Sequence, residues 1–103
     1  MAPLSKDRWR ADLEAASSDD EVLNTARRYL ESIGPRDMGA LPERLMPRTL
    51  QTCSQIADWA LKLVREHLHS SFDGRDAELL HDMGEFFAMA SARLASLHSR
   101  DRR

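Results

Sequence analysis

Two residue pairs in this chain carry the spacing of a metal site. Glu66 with His69 and Glu78 with His81 each read Glu-x-x-His, which sets a carboxylate and an imidazole on one helix face. Two such pairs, with two further glutamates, hold di-iron or di-manganese centres inside four-helix bundles. The helical phasing speaks against that here. Glu66 and His69 fall opposite Leu50, Val64 and Leu68, while Glu78 and His81 fall away from Met83, Phe87 and Leu94. Both pairs are therefore expected in solvent. Neither a metal nor a cofactor is expected, and an ion held where the third and fourth helices meet would be incidental.

Three other features invite a chemical reading. His67 lies beside Leu63 and Val64, and histidine titrates near neutrality. No second titratable group is placed next to it by spacing, so a partly buried structural histidine is the plainer reading. Cys53 is the single cysteine. It has no Cys-x-x-Cys, glycine-rich phosphate loop or Gly-x-Ser-x-Gly element beside it, and falls among apolar residues, where free cysteine behaves as a small hydrophobe. Arg100, Arg102 and Arg103, with Arg93 inside the last helix, make a small basic end. Phosphate contact through them is the weaker alternative, because no aromatic residue interleaves them and the preceding helix is acidic.

The elements that must carry these residues are helices. There is no sustained two-residue alternation, and the glycines and prolines other than Gly84 fall where helices could stop rather than inside strands. The first helix is expected over 6–16, capped by Ser5 with Leu4 and Trp9 as a hydrophobic staple, and carries a thin stripe of Trp9, Leu13 and Ala16. The second spans 19–33. Ser18-Asp19-Asp20-Glu21 reads as a capping box, Val22, Ala26, Tyr29, Leu30 and Ile33 share its apolar face, and Gly34 ends it. A long structured loop, 34–47, follows. The third helix is expected over 48–69, with Leu50, Cys53, Ile56, Ala57, Ala60, Leu61, Leu63, Val64 and Leu68 filling an arc of ~160°. The fourth is expected over 74–98 after Asp73 as N-cap, with a seam of Leu80, Met83, Phe87, Ala90, Leu94 and Leu97. A tail over 99–103 is expected to fray.

The fourth helix also carries Gly84, Ala88 and Ala92 at four-residue spacing, a small-residue strip that lets another helix come close. Either this helix is buried on two sides within one chain, or one side meets another chain. Trp59, at the margin of the third helix's apolar arc, and Met89, on the polar side of the fourth, are large apolar residues that a monomer need not bury.

Composition limits what these features can mean. The chain has 103 residues, a formal charge of −2 and 31% charged residues, the size of one domain without the basic excess of a nucleic-acid binder. The longest uncharged stretch, residues 49–57, is far too short to span a bilayer. The opening MAPLSKDRWR lacks an apolar signal core, so a cytoplasmic protein is expected. The sequence thus reads as an all-α four-helix bundle, residues 1–103 forming one helical domain, with the third and fourth helices as an antiparallel hairpin. The expected function is non-enzymatic: a small interaction or accessory module, a homodimer or the companion of another protein. Trp59, Gly84, Ala88, Met89 and Ala92 are the candidate interface residues, and a nucleic-acid-associated accessory role is the alternative.

Overall fold

The structure, a computed structural model, describes residues 6–33, 45, 50–69 and 74–101. Its elements are α1 (Lys6–Ala15), α2 (Asp19–Ser32), α3 (Ser54–His69) and α4 (Gly74–Asp101). The fold is all-α. Ser5, Gly34, Asp73, and all of the 34–47 loop except Leu45 lie outside the described residues. Leu45 itself is fully buried.

The start of α2 follows from its local sequence. Ser18 has extended backbone angles, and its side chain accepts from the Glu21 amide. The returning half of the expected box is displaced by one residue: the Glu21 carboxylate accepts from the Ser17 amide and hydroxyl, not from Ser18. The three acidic residues in the first turn face the positive end of the helix dipole.

The third helix begins later than its apolar pattern implies, at Ser54 rather than residue 48. The Gln55 side-chain carbonyl accepts from the amides of Gln51 and Thr52, folding over the helix entrance. Meanwhile the Arg27 guanidinium donates to the Leu50 and Gln51 carbonyls. Those carbonyls are turned to α2 instead of into a helix, so the segment before Ser54 is a tie between elements.

Helix α4 is central, packed against α3, α1 and α2. Gly84 on α4 lies against Leu63 and Val64 of α3, and three residues earlier His81 meets His67. As numbers rise on one helix they fall on the other, so the hairpin is antiparallel. On α4 the seam of Leu80, Met83, Phe87, Ala90, Leu94 and Leu97 is buried as expected. Phe86 is buried as well, and its ring carries the contact with the first two helices. It stacks on Tyr29 at 4.0 Å and meets Trp9 edge-on at 5.9 Å, while Trp9 and Tyr29 also meet edge-on at 5.4 Å. The second buried side of α4 is thus aromatic and filled from within the chain. Arg93 ties the far end, donating twice to the Ala16 carbonyl at the close of α1.

Candidate functional site

The wide apolar arc expected on α3 is only half used. Ile56, Ala60 and Leu63 are buried, but Leu61 is 71%, Val64 41% and Leu68 70% exposed, and Ala57 is exposed with them. Their assignment to the core is corrected. The reason is angular: Ile56, Ala60 and Leu63 point at α4, whereas Ala57, Leu61, Val64 and Leu68 sit roughly 90° further round. No neighbouring helix lies there among the described residues. At i, i+4, i+7 and i+11 these four residues form a second apolar stripe on the surface.

Gly84, Ala88 and Ala92 do not act as one strip. Gly84 is buried under α3, where an added Cβ would meet a Val64 methyl at 3.4 Å and the α3 backbone at 3.5 to 3.6 Å. Its small size serves the intramolecular approach of α3 to α4, which removes it from any surface that another chain could reach. Ala88 and Ala92 are exposed. Ala88 lies one turn beyond Gly84 in the same row, so it borders the groove that Val64 and Leu61 border from the other side. Trp59 and Met89 are half-buried and rest against the core. The Lys62 ammonium lies 4.8 Å from the Trp59 ring centroid. By helical phase Trp59 lies roughly 160° from Leu61 around α3, and Met89 roughly 100° from Ala88 around α4. Among the described residues, a continuous apolar surface is therefore formed by Leu61, Val64 and Leu68 beside Ala88 and Ala92. Sequence periodicity contained its α3 half but assigned it to the interior.

The candidate chemical residues fall in separate places. Cys53 is half-buried and its thiol donates to the Asp19 carbonyl at 3.3 Å. Burial first, then Asp19 and Asp20, push its pKa up. That thiol is held protonated, the opposite of an activated nucleophile. His98 contacts the Asp19 carboxylate at 2.8 Å, linking the end of α4 to the start of α2. Arg102 and Arg103, and the side chain of Arg100, lie outside the described residues. Arg93, the fourth cation of that group, is occupied by the Ala16 carbonyl.

Glu78 does not join the cluster of ligand atoms around His81. His81 is grouped with residues that follow it: its Nε2 is 3.5 Å from a Glu85 carboxylate oxygen, and Asp82 lies in the same cluster. Its other neighbour is His67 of α3, with ring centroids 4.9 Å apart and planes tilted by 44°. Spacing along α3 places no titratable group beside the half-buried His67; antiparallel packing, which that spacing cannot report, brings His81 there.

Comparison with protein-family models, with curated proteins and with solved structures found no match to this chain. The class rests on the fold alone: an all-α bundle in which no described helix is long and apolar enough to cross a membrane.

Proposed function

We propose that this chain is a non-enzymatic helical module that pairs with a second copy of itself through the α3–α4 face. The observation that carries the reading is the exposed stripe of Leu61, Val64 and Leu68 lying beside the small residues Ala88 and Ala92. Such a face is self-complementary. In a two-fold pair, large α3 side chains of one copy descend onto the alanines of the other, and the same contact is made twice.

Size sets the strength. The 16 residues of α3 make a helix about 24 Å long. Two packed helices are about 20 Å wide, so the face offers roughly 500 Å² per chain. A pair would bury about 1,000 Å², at the low end for specific association. The dimer is accordingly weak and concentration-dependent.

Sedimentation equilibrium across the micromolar range tests this. The apparent mass is expected to rise from 11.7 kDa toward twice that value. Leu61→Asp together with Leu68→Asp should hold the chain at the monomer mass with helicity intact, because both side chains are already exposed. Ala88→Leu should weaken pairing by filling the shallow side of the face. A wild-type chain that stays monomeric at high micromolar concentration overturns the reading.

A further inference from the structure

We propose that His67, His81 and Glu85 form an interhelical site for an imidazole-seeking divalent transition-metal ion such as Zn²⁺, which would clip α3 to α4. Donor atoms each about 2.1 Å from one ion at a tetrahedral angle stand about 3.4 Å apart. His81 Nε2 and the Glu85 carboxylate oxygen are 3.5 Å apart. Two imidazoles on one such ion have ring centroids roughly 4.5 to 5.2 Å apart, taking about 1.1 Å from nitrogen to centroid and metal–nitrogen bonds of about 2.1 Å. The His67 and His81 centroids are 4.9 Å apart. The His81–Glu85 spacing already matches that of two ligands sharing an ion; the His67 ring stands beside them, outside the cluster of ligand atoms that His81, Asp82 and Glu85 form, and joins it by turning its side chain.

The donor set fixes the class of ion. Two imidazoles and one carboxylate suit Zn²⁺, Ni²⁺ or Cu²⁺, whereas Mg²⁺ and Ca²⁺ prefer oxygen throughout. Asp82, whose carboxylate belongs to the same cluster, adds negative charge beside the cation. His81 and Glu85 are held in register by one turn of α4, and His67 is delivered by the helix crossing that Gly84 permits. The site exists only because the hairpin is closed, so binding there must favour the closed hairpin. Ligation needs no break in the backbone: His67 and Glu85 are half-exposed and His81 exposed, leaving a remaining coordination position to water.

Titration calorimetry of chelator-treated full-length protein with Zn²⁺, repeated with Ni²⁺ and Mg²⁺, is the test. One Zn²⁺ or Ni²⁺ per chain is expected, with no heat from Mg²⁺ and a melting midpoint raised by Zn²⁺. His67→Ala and His81→Ala should each weaken Zn²⁺ at least tenfold, while His69→Ala and His98→Ala leave it unchanged. Helicity of each variant is checked by circular dichroism. Should a variant lose helicity, Ni²⁺-induced broadening of the wild-type histidine ring NMR signals decides instead, expected at His67 and His81 but not at His98. Absence of saturable binding by Zn²⁺ and Ni²⁺, binding that survives both alanine variants, or broadening confined to other histidines overturns the site. His81 and Glu85 precede Ala88 and Ala92 by seven residues each and share their face of α4, so the titration is made at a concentration where the chain sediments as a monomer, which keeps its outcome distinct from that of pairing.

Discussion

Tyr29 concentrates several energetic terms in one side chain. It is 8% exposed, stacked on Phe86 and edge-on to Trp9. Burial, reinforced by the negative charges of Asp82 and Glu85, drives its hydroxyl pKa far above the ordinary 10.0. The consequence for stability has a definite sign. Below pH 10 the hydroxyl is protonated in folded and unfolded chains alike, and pH has no purchase on it. Above that, the unfolded chain releases the proton and the folded chain keeps it, so stability falls by about 1.4 kcal/mol per pH unit. Because this is the single tyrosine, tyrosinate absorbance reports it directly. The ionisation is expected to coincide with loss of helicity, well above pH 10. A smooth titration near pH 10 with helicity retained would mean that the hydroxyl reaches water in the folded state.

Between elements, the deciding contact is Gly84 of α4 against Leu63 and Val64 of α3. A methyl group at this position meets its nearest neighbour at 3.4 Å, an ordinary contact distance. Alanine also favours a helix interior over glycine by about 1 kcal/mol. Gly84→Ala is therefore expected to leave the melting midpoint unchanged or raise it. Gly84→Leu should lower stability by about 1 to 3 kcal/mol, because the added volume has to displace α3. Denaturant titration of the two variants checks the pair of expectations, and Gly84→Leu should weaken Zn²⁺ binding too, since it separates His67 from His81. The crossing at Gly84 thus links the packing of the hairpin to the histidine cluster at its end.

At the scale of the molecule, the force behind the proposed pairing sets its response to conditions. The stripe of Leu61, Val64 and Leu68 is uncharged, and the net charge of −2 is small for a chain of 103 residues. Association through that stripe should change little between low and moderate salt, and sulfate should strengthen it. Contacts made through the basic C-terminal residues to phosphate would weaken steeply over the same range. Light scattering at several salt concentrations separates the two. A salt-insensitive mass that falls to the monomer value in Leu61→Asp supports the apolar face; steep salt dependence argues against it.

Local pattern determined that four helices form and that Ser18 caps α2, whereas the start of α3 was set by its ties to α2. Ser18 accepts from the Glu21 amide because both are on one turn, and the α4 seam from Leu80 to Leu97 is buried because its spacing leaves one apolar face. An intrahelical period of 3.6 residues is a property of the chain itself. Which part of an apolar arc finds a partner is not. The arc on α3 was legible as apolar, but a single neighbouring helix covers only the sector around Ile56, Ala60 and Leu63, so tertiary placement decided that Leu61 and Leu68 remain outside. Likewise Gly84 and Ala88 share one row, yet the crossing point of α3 buries the first and exposes the second. His67 and His81 are far apart along the chain, and only the antiparallel closure of the hairpin sets their rings 4.9 Å apart. Spacing along one helix fixes angles about one axis; contacts between helices depend on the distance and offset of two axes, which no single segment encodes.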